Sequence, residues 1–310
     1  MGIITRIKGW INMKFKGKVK EEFDVESIVS AVVDDAIKDC ADIYRGNPSW
    51  LNEEDHIKTI NFAKSICSET ARLTTLGIKV QIGGSARADY LQGIIDKYYF
   101  NFREWVEFAC AYGTIVLKPD TEGIDCVLPG DFIITDSKDG RITGIVFIDR
   151  KTEGKKYYTR LEYHRFIGDV YWITNKCFVG DSKNDLNKAI DIEKTPWSEL
   201  LEEVGIENME SPLYGVLKTP HANNIDPMSP MSLAIFSDAV EELKDLDIAY
   251  SRNSSEIYDS SRTVLMDSDR LVPTGEKVTM TSSGFEPLSS KISPKSRCSP
   301  SSSFISNGIE

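Results

Sequence analysis

Three histidines, His56, His164 and His221, and six cysteines, at 40, 67, 110, 126, 177 and 298, are the side chains best suited to hold a metal or attack a substrate. A zinc or redox site needs such residues at short fixed spacings, as in Cys-x-x-Cys or His-Glu-x-x-His, so that one turn or helix face presents two ligands together. Here no two cysteines are closer than sixteen residues, and no histidine lies in such a spacing. The pattern predicts free, mostly buried thiols and histidines at the surface or held by hydrogen bonds. The carboxylate pairs Asp34-Asp35 and Glu53-Glu54 are adjacent in sequence, and adjacent residues on a helix point in different directions, which makes them poor acid/base partners. Gly83-Gly84-Ser85-Ala86-Arg87 lacks the closing glycine of a nucleophile elbow. Gly17-Lys18 and Gly154-Lys155 lack both the upstream glycine and the following hydroxyl of a phosphate-binding loop. The expectation is a chain with no catalytic residue, no cofactor and no metal.

What remains is a row of carboxylates, Asp238, Glu241, Glu242 and Asp245, on a long helical pattern. A proline-rich approach (Pro220, Pro227, Pro230) leads into it, with Ser229 at the N-cap and Pro230 at the first helical position, where a missing N–H costs nothing. Phe236, Val240, Leu243, Leu246 or Asp247, Tyr250 and Ile257 recur at helical spacing, and neither Gly nor Pro interrupts residues 231–262. At about 1.5 Å per residue this predicts a rod of roughly 45–50 Å. A charged helix face is ordinarily a solvated one. Length is what sets this one apart.

The 310 residues suffice for one large domain or two ordinary ones. No apolar run approaches eighteen residues, the N-terminus lacks a signal-peptide pattern, and Arg6 stands where myristoylation wants Ser or Thr, so an intracellular protein with no membrane span is expected. The net charge of −11 conceals an asymmetry: residues 1–20 carry Arg6, Lys8, Lys14, Lys16, Lys18 and Lys20 with no acid. The acidic remainder is unsuited to gripping nucleic acid, because phosphate binding needs basic surface. The basic stretch, with Ile, Trp and Phe interleaved, reads as a terminal arm that docks on a neighbour. The alternative is a non-catalytic membrane-surface or partner-binding protein acting through that arm.

Taken in order, helices are expected at 25–45, 52–75 and 88–112, with a short strand at 78–82. The aromatic stripe Tyr98, Phe102, Trp105 of the third helix reads as core. From Gly113 to Gly180 the period changes to two, and turn pairs such as Asp139-Gly140, Glu153-Gly154 and Gly168-Asp169 separate about five strands of an antiparallel meander. Residues 181–199 form a loop anchored by Pro196-Trp197, and a strand at 212–218 leads into the long helix. Short strands follow near 263–266 and 277–280. Residues 287–310 hold nine Ser and three Pro with no hydrophobic period and are expected to be disordered. The fold class is α+β.

Several stretches are similar to the portal proteins of tailed bacteriophages that infect Gram-positive bacteria. WLNEEDHIKTINFAKSICSETARLTTLGIKVQI resembles their early helix and strand, and YTRLEYHRF with VYWITNKCF resembles a strand pair. PLYGVLKTPHANNIDPMSPMSLAIFSDAVEELKDLDIAYSRNSSEI resembles the approach to the stem helix. The most specific part runs from Asn223-Asn224-Ile225 through Ser229-Pro230 to Asp245–Tyr250 and Glu256, within a likeness spanning about residues 20–285. Met231 stands where the family often has Gly.

The resemblance implies a basic arm at 1–20, a wing-like α+β domain at 21–228, a stem helix at 229–261, the start of a β clip at 262–286 and the Ser-rich tail at 287–310. It also implies a homo-oligomeric ring, generally a dodecamer, at one capsid vertex. Double-stranded DNA would pass through it without sequence specificity. The ring's partners would be the terminase large subunit, capsid and scaffolding proteins, and the head-tail connector, in the virion and earlier in the bacterial cytoplasm. Asp238, Glu241, Glu242 and Asp245 would then face the channel, whose negative wall lets DNA slide. Family chains continue into a second stem helix, and the Ser-rich end is expected to be a frameshifted or aberrant end of a truncated, assembly-defective prophage product.

Overall fold

A computed structural model of the chain describes residues 14–51, 56–120, 123–182, 185–261, 271–274 and 277–280. The chain divides into two units, 1–251 and 252–310.

The first unit holds the α+β architecture. Residues 14–23 form α1, followed by α2 (Ala31–Tyr44), α3 (Phe62–Leu76) and α4 (Ala88–Tyr112). The strands are β1 (Thr114–Asp120), β2 (Gly123–Val127), β3 (Phe132–Lys138), β4 (Arg141–Glu153), β5 (Lys156–Ile167), β6 (Val170–Gly180), β7 (Lys188–Ile190), β8 (Glu203–Glu207) and β9 (Gly215–Lys218). They make two antiparallel sheets. A small one has the order β2-β1-β9, and the larger one runs β3-β4-β5-β6-β7 with β8 also on β6. The expected single meander is therefore divided. Pro129-Gly130 turns the chain, with Asp131 N–H bonded to Leu128 C=O at 3.0 Å, and separates β2 in one sheet from β3 in the other.

The larger sheet is covered on both faces. Along β4, Ile145 and Phe147 enter a core with Val33, Ile37, Val116, Met231 and Leu233, while Val146 and Ile148 meet Phe15 and Val19 of α1. This is why Gly144–Ile148 reads as a continuous apolar run and not as an alternation. It also places residues 14–20 of the basic arm within the fold. Phe15 and Val19 are fully buried, Lys16 pairs with Asp34, Lys18 with Glu21 and Glu22, and Lys20 with Glu26. Residues 1–13 lie outside the described residues.

Helix α2 starts at Ala31, six residues later than expected, and α3 starts at Phe62, where the Asn61 side chain accepts from Lys64 N–H. The expected strand at 78–82 does not form. The Gln92 side-chain amide bonds Ile82 N–H at 2.9 Å and Val80 C=O at 3.1 Å, so a helix side chain stands in for a strand partner. Helix α4 has the expected ends, and Trp105, Ala109 and Tyr112 carry it into the core shared with α2 and α3. Trp197 is buried against Tyr158 and Cys177, anchoring the expected loop. Two strands lie outside the expected set, β7 within that loop and β8 after it.

The largest departure is at the long helix. Residues 230–236 are irregular and buried; a 3-10 turn at Ser237–Ala239 follows, and only then α5 (Val240–Ser261). The backbone of the buried stretch is claimed by other elements. Ser232 N–H donates to Thr114 Oγ1, Ile235 N–H to Cys110 C=O, the Thr219 hydroxyl to Leu233 C=O, and Asn223 Nδ2 to Met231 C=O, each at 2.9 Å. Those bonds outweigh the local helix signals at Ser229 and Pro230. Gly113 permits the crossing: its φ is +77°, and a Cβ there would lie 2.1 Å from Ser232 C=O. Met231 fills the core beside Phe147 and Tyr214 where a glycine would leave space.

The second unit contains the end of α5 from Arg252 and a hairpin of β10 (Leu271–Thr274) and β11 (Lys277–Met280), paired Leu271 to Met280 and Thr274 to Lys277. The strand expected at 263–266 and the Ser-rich tail lie outside the described residues.

Candidate functional site

Helix α5 within the first unit is organised in rows four residues apart, because 3.6 residues per turn bring i and i+4 to one side. The row against the body is Leu243, Asp247 and Ser251, all buried. Leu243 joins the helical core, but the other two anchor the helix through polar bonds. The Asp247 carboxylate, 4% exposed, accepts from Trp50 Nε1 and from Ile60 N–H, both at 3.0 Å. The Ser251 hydroxyl accepts from Lys58 N–H at 2.9 Å and lies 2.7 Å from Asp247 C=O. The segment at 58–60 would otherwise carry bare amides, and the helix supplies their acceptors. We call this set the latch.

The latch fixes the rotation of α5. Residues two positions away lie roughly 200° round the helix, so Glu241 and Asp245 point away from the body, and both are exposed. Glu242 and Asp238 are exposed as well. Glu241 pairs with Lys244 at 3.1 Å, and Asp238 accepts from Asn224 Nδ2 at 2.7 Å. Asp245 and Glu242 make no ion pair or hydrogen bond among the described residues. The four carboxylates proposed from sequence thus come together on one short stretch of surface with a single lysine among them. The apolar face expected from Leu246, Tyr250 and Ile257 is not buried: they are 39%, 49% and 63% exposed. A buried acid and a serine hold the helix in their place, a choice that hydrophobic periodicity alone does not detect.

A second charged cluster was missed by sequence reasoning because its members come from separate strands. Lys118 on β1 reaches Glu162 at 2.7 Å and Asp149 at 3.1 Å across the two sheets. Arg160 contacts both carboxylates, and Glu162 also bonds His164 Nε2 at 2.9 Å. His164 Nδ1 lies 2.7 Å from the Tyr171 hydroxyl, which in turn accepts from Leu213 N–H. Burial alone would raise the Glu162 carboxyl, but His164, Lys118 and Arg160 around it hold it well below the usual carboxylate range. Two cations and two carboxylates cancel, Arg160 donates through Nε and Nη2, and Lys118, Arg160 and His164 are 5% exposed or less. The cluster rivets one sheet to the other.

The remaining candidates are dispersed. His56 and His221 are exposed and far from one another in sequence, while His164 sits in the rivet. Cys40, Cys67 and Cys110 share one core as free thiols, and burial pushes those of Cys40 and Cys110 up to about 11, so they stay protonated and unreactive at neutral pH. Asp34 lies in a helix bonded to Lys16, and Glu53-Glu54 lies outside the described residues. Among the described residues no group of three or more potential metal ligands forms. A groove of about 450 Å³ between α1, α2 and β3 is walled by Phe15, Val29, Ile37 and Phe132; of its charges Lys16 pairs with Asp34 and Arg45 with Asp42, and Asp35 and Lys38 also line it. No helix among the described residues is long and apolar enough to cross a membrane.

No family model matches the chain, and no curated protein matches it.

Proposed function

We propose that this chain is a portal subunit of a tailed bacteriophage or prophage, a structural protein that assembles into a ring at the capsid vertex. The observation that carries the reading is the rotation of α5. Its buried acid, Asp247, is spent on the latch, while Glu241 and Asp245 are held on the opposite side, in solvent. The latch stabilises the fold in any case; what favours the reading is that it also leaves the carboxylates turned outward on one side of the helix. In a ring of copies the same face becomes a continuous acidic wall.

Duplex DNA carries one negative charge per about 1.7 Å of axis. A wall of carboxylates repels it evenly, so the duplex passes through without adhering and without sequence preference. On this reading the two sheets and the helices that cover them are a rigid body that holds α5 at the lumen. The role is non-catalytic, and the motor activity belongs to the terminase large subunit that docks on the ring. Capsid and scaffolding proteins and the head-tail connector are its other partners. Its place is the virion's portal vertex and, during assembly, the bacterial cytoplasm. Further support is the coarse element order, helices then antiparallel sheets then an acidic-faced helix; the strand that the resemblance places at 78–82 is not part of it.

The test is sedimentation velocity of the purified full chain over a wide concentration range. Against the assembly defect expected of a truncated chain, the reading takes the residues present as sufficient and expects a closed oligomer of fixed size, about twelve copies by the family resemblance. A chain that stays monomeric at every concentration contradicts it.

A further inference from the structure

The rows of α5 differ in chemistry on their two flanks. One flank, one residue before the latch row, carries Glu242, Leu246 and Tyr250. The other, one residue after it, carries Lys244 and Ile248. Each lies about 100° from the latch row, on opposite sides. Leu246 and Tyr250 are substantially exposed, Ile248 and Lys244 partly so, and Glu242 is exposed without an ion pair among the described residues. The only partner of Lys244 among the described residues is Glu241 at 3.1 Å on the same exposed surface, a weak pair in solvent.

We propose that a second copy of this chain seats the Lys244–Ile248 flank of its α5 against the Glu242–Leu246–Tyr250 flank of the first. The pairing rests on the ring reading above. Charge selects it: flank on opposite flank sets Glu242 against Lys244, whereas like on like opposes Glu242 to Glu242 or Lys244 to Lys244. Copies turned about an axis parallel to α5 keep every row at the same height. Glu242 and Lys244 differ by two residues, about 3 Å of rise, as do Leu246 and Ile248, so acid reaches base and apolar side chain reaches apolar side chain. A contact between two different faces is head-to-tail, the kind that closes into rings when the rotation permits. It moves Glu242 from the channel-facing set into the junction and leaves Glu241 and Asp245 free on the remaining side.

Charge reversal in the full chain tests the pairing. Glu242→Lys alone and Lys244→Glu alone each place like charges at every junction and raise the half-assembly concentration by about tenfold or more, since like charges across an interface repel. An equimolar mixture of the two variants sets opposite charges at every junction and restores assembly, as does the double variant Glu242→Lys/Lys244→Glu. Assembly of the native chain that neither single reversal weakens, or that the mixture fails to restore, overturns the pairing and leaves the ring reading standing. A native chain that never assembles overturns both. Thermal unfolding of each variant, with a midpoint expected within about 2 °C of the native chain's for exposed positions, separates lost assembly from lost folding.

Discussion

Replacing Asp247 separates a carboxylate that holds the helix from carboxylates that only face solvent. Its two oxygens accept from Trp50 Nε1 and Ile60 N–H, each at 3.0 Å, and the residue is 4% exposed. A hydrogen bond to a charged group contributes about 1.5–3 kcal/mol, and a buried donor left bare costs about 1–3 kcal/mol. Asp247→Ala orphans both donors, and since Trp50 is only partly buried its indole recovers some hydration. The expected loss is about 3–4 kcal/mol. Asp247→Asn keeps one acceptor and turns an amide donor toward the other N–H, for a loss of about 1–3 kcal/mol. Asp245→Asn, two residues away and exposed, changes stability by about 0.5 kcal/mol or less. Urea unfolding of the three variants gives the ranking, and amide exchange at Ile60 reports the latch itself. If Asp247→Ala falls within about 1 kcal/mol of Asp245→Asn, the polar latch does not hold α5 and the argument from its rotation fails.

Other consequences follow from the packing. The depressed Glu162 carboxyl contributes stability that is fully present above its unfolded value of 4.5 and is lost as pH falls below it toward the folded value. Glu162→Gln should flatten the acid limb of a stability-versus-pH curve and cost about 3–5 kcal/mol at pH 7 by leaving Lys118 and Arg160 undercompensated; a variant as stable as the native chain at pH 7 contradicts the rivet. Gly113→Ala meets Ser232 C=O at 2.1 Å with φ at +77°, so thermal unfolding should show a loss of several kcal/mol, about what backbone strain plus overpacking produces. Phe15→Ala should cost about 3–5 kcal/mol, since its ring is fully buried between α1 and the sheet; an unchanged urea midpoint would show that α1 does not belong to the fold.

Local patterns were legible in the sequence wherever local interactions decide. Helix α4 has both ends where its apolar period and Gly113 place them, and the β4–β5 and β5–β6 hairpins turn at the expected Glu153-Gly154 and Gly168-Asp169. Tertiary contacts overrode the rest. Residues 230–236 carry an N-cap, a favourable proline and a helical apolar period, yet Thr114, Cys110, Thr219 and Asn223 hold their backbone in an irregular path. Strand β8 is hard to read in the sequence because Gly205 weakens its pattern; the Trp172 ring packs over that glycine, about 3.1 Å from where a Cβ would be. The rivet joins Lys118 to residues 31 and 44 positions away, a separation that no spacing rule covers. For the candidate site, the acidic residues were readable as a helix face, but the latch was visible only as a doubtful position where Leu246 and Asp247 compete for the buried row.

Electron microscopy of the full-length protein tests the central claim most directly. The account predicts closed rings with a central channel, and a map in which α5 stands beside the lumen with Glu241 and Asp245 toward it. Particles without a channel, or rings in which α5 lies at the periphery with those carboxylates facing outward, would contradict it.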